Sequence, residues 1–195
     1  MREGRWHVRL GQSVRGRTLG ILGLGNLGRQ VAAFGRMLGM QTIAWSQNLT
    51  AAAAAEAGCK FVERAELLRA SDYLTIHVRL SDRTRGLVGA AELGLMKPTA
   101  YLINTSRGPI VDETALFQTL RERRIAGAAL DVYSREPLPM DDPIRALDNV
   151  MLLPHLGYAS EENYRLMYGD GLEAVEGFLA GKPPRALNTL AGRAR

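Results

Sequence analysis

Two groups of residues in this chain have the types and spacing to do chemistry. The first is the run Gly23-Leu24-Gly25-Asn26-Leu27-Gly28. Glycines at that spacing suit a turn that is tight at the first, bare at the second and closely packed at the third. Where such a turn leads from a strand into a helix, unpaired backbone N–H groups of the first helical turn meet negative charge on a phosphate. The ligand this fits is a dinucleotide, so Gly23, Gly25, Asn26, Leu27 and Gly28 are read as a pyrophosphate cradle. About twenty residues on, a carboxylate normally grips the adenosine ribose of NAD. Here the chain reads Trp45-Ser46-Gln47-Asn48, with no acid. Its loss removes a repulsion against the 2′-phosphate of NADP, yet no arginine adjoins Ser46 in sequence to bind one. NAD and NADP both stay open, with NAD slightly favoured.

The second group is dispersed: Asn104-Thr105-Ser106-Arg107-Gly108, Asp131, Glu136-Pro137 and Pro154-His155-Leu156-Gly157. An arginine offers a planar fork that fits a carboxylate. A histidine exchanges a proton near neutral pH, and a carboxylate beside it favours the charged ring. Arg107, Asp131, Glu136 and His155 could therefore hold a small acid and move a proton on or off it. Singly, each is an ordinary polar loop residue. Their weight comes from a shared position, just past the carboxyl ends of predicted strands.

Those strands and the helices between them must do the positioning. Apolar runs at 18–24, 41–45, 60–62, 73–78, 100–104, 126–132 and 150–153 have strand length and composition. Between them lie helical segments at 29–38, 51–57 and 65–69, and one capped by Asp112 with Leu116, Leu120 and Ile125 on its face. A final helix begins after Ser160, although Gly169 and Gly171 each weaken it by about 1 kcal/mol relative to alanine. Strand and helix in alternation predict a doubly wound parallel α/β sheet of the Rossmann type, in a single domain. Open sheets of this kind bind ligands at the carboxyl ends of their strands.

Composition removes several other classes. The chain has 195 residues, one cysteine and three histidines, so an internal disulfide is impossible and a metal cage is not expected. No apolar run reaches the roughly 20 residues of a membrane span, and Met1–Gly16 lacks the apolar block of a secretory leader. A cytoplasmic protein is the expectation. The net charge of +5 sits at the ends. Residues 1–17 carry five arginines against Glu3, and 182–195 carry Lys182, Arg185, Arg193 and Arg195 with no acid. The body holds 16 basic and 19 acidic side chains, so no basic face suggests nucleic acid as a partner.

Taken in order, the glycine block, Asn104-x-x-Arg107-Gly108, Asp131-Val132-x-x-x-Glu136-Pro137 and Pro154-His155-x-Gly157 resemble the D-isomer-specific 2-hydroxyacid dehydrogenases. The likeness is to their nucleotide-binding domain and runs from about Gly11 to about Leu187. It implies hydride transfer between a nicotinamide and the second carbon of a small 2-hydroxy or 2-keto acid, of the glyoxylate, hydroxypyruvate or phosphoglycerate kind. By the same likeness Arg107 binds the substrate carboxylate and polarises the keto oxygen. His155 exchanges the proton, and Glu136 hydrogen-bonds His155 and raises its pKa. Asp131 lies at the nicotinamide end, and Asn26 and Leu27 meet the pyrophosphate by backbone. Ser46, His77, Thr105 and Gly157 complete the expected cofactor-lining set, with no metal. Residues 1–17, with Trp6, look like the family's connecting arm and imply a homodimer. Residues 18–181 are the dinucleotide-binding domain and 182–195 a tail.

The chain departs from the family in two further ways. Arg79 stands where a proline usually follows the His77 strand, and the family's separate substrate domain is almost entirely absent. That absence keeps a second reading in play, a non-catalytic dinucleotide-binding module acting as sensor or dimerisation partner.

Overall fold

A computed structural model describes residues 11–182 together with Gly4, Trp6 and Pro184. The rest of the expected arm and tail lies outside the described residues. Contacts divide the chain into two compact units, Met1–His155 and Leu156–Arg195.

The first unit is built on seven parallel strands: β1 (Thr18–Leu22), β2 (Gln41–Trp45), β3 (Lys60–Phe61), β4 (Tyr73–Ile76), β5 (Tyr101–Asn104), β6 (Gly127–Leu130) and β7 (Val150–Leu152). Their order in the sheet is β3-β2-β1-β4-β5-β6-β7. The chain thus winds outward from β1 to β3, returns to the far side of β1, and winds outward again to β7. Right-handed crossovers in opposite directions place their helices on opposite faces. Helices α1 (Asn26–Met37) and α2 (Ala51–Glu56) cover one face. There the core is small, with Ile21, Ala32, Ala44 and Ala54, so the helices lie close to the strands. Helices α3 (Arg64–Ala70), α4 (Ala90–Leu93) and α5 (Glu113–Arg121) cover the other. That core is larger and built on Leu22, Leu67, Leu68, Leu74, Ile76, Leu102, Leu116 and Leu120. Strands buried on both faces read as continuous apolar runs, which is why the sequence reveals them.

One polar clasp fixes the amino ends of the central strands. Asp72 accepts from Thr18 N–H and from Lys97 Nζ, each at 2.8 Å, and Lys97 also donates to the Ala70 carbonyl at 2.7 Å. Burial pushes the Asp72 carboxyl up. The Lys97 hydrogen bond, the Thr18 N–H and the charges of Lys97 and Arg17 outweigh that and hold it below the usual carboxylate value.

Several boundaries differ from those read in sequence. Strands β1 and β4 stop at Leu22 and Ile76, because Gly23 and His77 already belong to the loops of the site. Helix α1 starts at Asn26 rather than Arg29, so the glycine turn itself supplies its first residues. Ile125 is fully buried but lies beyond the end of α5, in the turn toward β6. The short α4 and the 3-10 turns at Gly108–Ile110 and Pro143–Ala146 carry no periodic signal in the sequence.

The second unit contains α6 (Glu161–Leu179), capped by Ser160, whose side chain accepts from Asn163 N–H. It runs unbroken through Gly169 and Gly171, and no residue of it is buried. Among the described residues no helix is long and apolar enough to cross a membrane. No group of three or more His, Cys, Asp or Glu could hold a metal ion there.

Candidate active site at the carboxyl edge of the sheet

The winding reverses at β1, and the crevice above that strand is the natural ligand site of an open α/β sheet. Leu22 pairs with Trp45 on one side and Ile76 on the other, so the loops after β2 and β4 start level with each other around Gly23. Gly23 has φ +105, and a Cβ there would stand 2.7 Å from the His77 carbonyl carbon. A Cβ on Gly28 would collide with the Gly23 carbonyl oxygen. Gly25 is different, because a Cβ there meets nothing within 4 Å. Nothing inside the protein demands glycine at that position, which leaves the backbone bare toward the outside. Asn26 and Leu27 beside it are exposed, and Leu27 is 66% accessible despite its apolar side chain. Helix α1 has no acidic residue in its first turn and no side-chain cap on Gly25. A cradle of this shape, without negative charge, fits a dinucleotide pyrophosphate.

Ser46 braces the turn: its Oγ accepts from Leu24 N–H at 2.8 Å. His77 Nε2 lies 2.9 Å from Thr75 Oγ1, and burial lowers the His77 pKa, favouring the neutral ring.

At the ends of β5, β6 and β7 the reactive groups converge. His155 Nδ1 lies 2.7 Å from Glu136 Oε2, and each side chain is 34% exposed. Burial pushes the Glu136 carboxyl up. Hydrogen bonds from His155 and Tyr133 N–H, with the charges of His155 and Arg107, overcome that and hold it below its usual value. His155 has φ +57, a left-handed conformation that costs a non-glycine residue about 1–2 kcal/mol. Residues held this way concentrate at functional sites.

Sequence reading missed the residue that ties this pair together. Tyr133 donates its backbone N–H to Glu136 Oε1 at 2.9 Å. Its hydroxyl lies 2.8 Å from the Leu153 carbonyl and 3.1 Å from that of Leu130. One buried tyrosine therefore links the segment carrying Glu136 to the strand leading into His155. A tyrosine three residues before a glutamate is no signal by itself, so only the folded geometry reveals it.

Arg107 is exposed, and its loop is held from beneath. Asn104, 1% exposed, donates Nδ2 to the Arg107 carbonyl at 3.0 Å and accepts from Ser106 N–H at 3.1 Å. Ser106 Oγ donates to the Val78 carbonyl at 3.0 Å, fastening this loop to the one after β4. A Cβ on Gly108 would collide with the Tyr133 backbone, so the arginine loop can pack here only with glycine. Asp131 is 3% exposed and donates its backbone N–H to the Asn104 carbonyl at 3.0 Å. Thr105 is exposed just past β5. Gly157 belongs to the second unit. The structure also brings an arginine to the last residue of β2: the Arg64 guanidinium lies over the Trp45 ring, 5.9 Å from its centroid.

The family model described as D-isomer specific 2-hydroxyacid dehydrogenase, NAD binding domain, matches residues 1–157. A glyoxylate reductase of Aeropyrum pernix is 45% identical over 186 residues, covering 94% of this chain and 56% of that protein. The phosphoglycerate oxidoreductase structure from Vibrio cholerae O395 superposes with a TM-score of 0.86 at 36% identity, covering 92% of this chain and 59% of that one. An acyclic imino acid reductase in complex with NADPH and D-Arg gives a TM-score of 0.78 at 33% identity, covering 94% and 58%. The chain thus spans a little over half the length of each.

Proposed function

Since this chain belongs to the D-isomer specific 2-hydroxyacid dehydrogenase family, through its NAD-binding domain, we propose that it is the nucleotide-binding half of such an enzyme. Its reaction is hydride transfer between NAD(H) or NADP(H) and the second carbon of a small 2-hydroxy or 2-keto acid. The observation that carries this reading is the His155–Glu136 pair at 2.7 Å, with the charge of Arg107 acting on it, on the same sheet edge as the bare Gly25 cradle.

When bound, the nicotinamide supplies or takes up the hydride. The backbone of Asn26 and Leu27 receives the pyrophosphate. Ser46, His77, Thr105, Asp131 and Gly157 are assigned to the cofactor's surroundings, with Asp131 at the nicotinamide end. Arg107 pairs with the substrate carboxylate and polarises the keto oxygen. His155 gives that oxygen a proton during reduction and takes it back during oxidation. Glu136 keeps Nδ1 engaged and orients the ring, so proton exchange falls to Nε2.

The test is reduction of glyoxylate and hydroxypyruvate by the chain alone and by the chain with a substrate domain supplied. His155→Ala should lower turnover at least about a hundredfold while leaving nucleotide affinity unchanged. Full turnover in that variant would end the mechanism. The partial span also favours a second reading, a dinucleotide-binding module without catalysis, for which nucleotide binding persists with no turnover of any 2-keto acid. A cytoplasmic homodimer joined through the amino-terminal arm is the assembly this reading expects. A monomeric mass by light scattering at micromolar concentration would contradict it.

A further inference from the structure

The end of β2 lacks the group that a ribose hydroxyl would need and gathers groups that a phosphate would need. Ser46, Gln47 and Asn48 are neutral, and Gln47 and Asn48 are exposed. The Ser46 oxygen already accepts from Leu24 N–H, and its own O–H proton is still available to an acceptor.

Two arginines from distant parts of the chain lie by the loops that follow β2 and β4. Arg64 opens α3, and its guanidinium lies 5.9 Å from the centroid of Trp45, the last residue of β2. Its Nη2 is 3.4 Å from Glu92 Oε1, a long contact, and the side chain is 43% exposed. Glu92 also accepts from Gly89 N–H through Oε2, so its charge is shared. Arg79 stands on the other side of β1, exposed, two residues past His77. Its backbone is fixed because its carbonyl accepts from Thr84 Oγ1 at 2.6 Å. The loop that follows carries Asp82 against Arg83 and Arg85. Trp45 and Ile76 are level across Leu22, so the loops bearing Ser46 and Arg79 start on either side of the glycine turn. In doubly wound sheets the adenosine of a dinucleotide lies in this crevice.

We propose that the crevice is a subsite for a 2′-phosphate on adenosine, with Arg64 and Arg79 as its cations and the Ser46 hydroxyl as a donor. The chain is then selective for NADP(H), against the slight preference for NAD read from its sequence. The inference rests on the dinucleotide-binding reading above and adds the choice of cofactor. Arg64 lies over the Trp45 ring at cation–π distance, which limits the freedom its guanidinium has left to lose when a phosphate docks.

The experiment is a fluorescence titration of the chain with NADPH and with NADH, repeated with 2′-AMP as competitor. NADPH should bind about tenfold tighter or better, and 2′-AMP should displace it where 5′-AMP does not. Arg64→Met keeps an apolar stem over Trp45, and Arg79→Gln is a surface change. Each should weaken NADPH by about three- to tenfold and move NADH by less than about twofold. Arg64→Lys should restore part of the loss. Gln47→Glu, at an exposed position, should weaken NADPH alone by charge repulsion.

Equal loss of both nucleotides in Arg64→Met would make that arginine structural and overturn its role. NADH binding as tightly as NADPH in the wild type would overturn the subsite and leave the dinucleotide reading standing. Failure to bind either nucleotide would overturn both.

Discussion

At the scale of single residues, Gly25 separates a structural role from a binding one. A methyl group there meets no protein atom within 4 Å, and the backbone φ of −82° suits any residue. Gly25→Ala should therefore leave stability within about 0.5 kcal/mol, by chemical denaturation, while weakening nucleotide binding at least tenfold or so. Gly28→Ala should damage both, since its methyl group collides with the Gly23 carbonyl. Glu136 gives a pH signature. Its folded pKa lies below the ordinary value of 4.5, so the stability it contributes is complete above that value. That contribution is lost as pH falls through the folded pKa. The stability gap between wild type and Glu136→Gln should close as pH falls below about 4.5, followed by thermal unfolding across acid pH.

Between residues and the whole, elements are held by a few polar bonds that the apolar pattern does not announce. Asp72 joins the starts of β1 and β4 to the segment before β5 through Thr18 N–H and Lys97. Asp72→Ala leaves Thr18 N–H without its acceptor and Lys97 with the Ala70 carbonyl alone, and should cost about 1–3 kcal/mol by urea unfolding. The exposure of Lys97, at 37%, keeps the ion-pair share of that small. Tyr133→Phe removes only the hydroxyl that links β6 and β7 at 2.8 Å from the Leu153 carbonyl. It should cost about 0.5–1.5 kcal/mol and lower turnover by loosening His155, with nucleotide affinity unchanged. Loss of nucleotide affinity in that variant would place Tyr133 in a different role.

For the molecule as a whole, the first unit carries both the glycine cradle and the His155–Glu136 pair on one edge of one sheet. Nucleotide binding should therefore stabilise the chain by itself, by about 2.7 kcal/mol at a hundredfold excess over Kd. A melting temperature unmoved by either NADH or NADPH would contradict the site. The chain spans 56% of the Aeropyrum pernix glyoxylate reductase, and the substrates of its relatives differ although this domain is shared. Selection among 2-keto acids is accordingly expected to follow whatever closes the cleft over Arg107, measurable as a change in KM when different substrate domains are supplied.

Sequence by itself determined the strand and helix alternation and the tightly packed glycines Gly23 and Gly28, and it singled out Glu136 and His155, which the fold brings into contact. These are legible because buried parallel strands must be continuously apolar, and because close backbone approach admits only glycine. Two residues became meaningful only in the folded molecule. Tyr133 spans two strands, and Arg64 arrives at the end of β2 from the start of α3. Their partners Leu153 and Trp45 are about twenty residues away in sequence, with no motif to mark them. Winding of the sheet decided those contacts, since parallel strands joined by crossovers bring together loops that no local pattern connects.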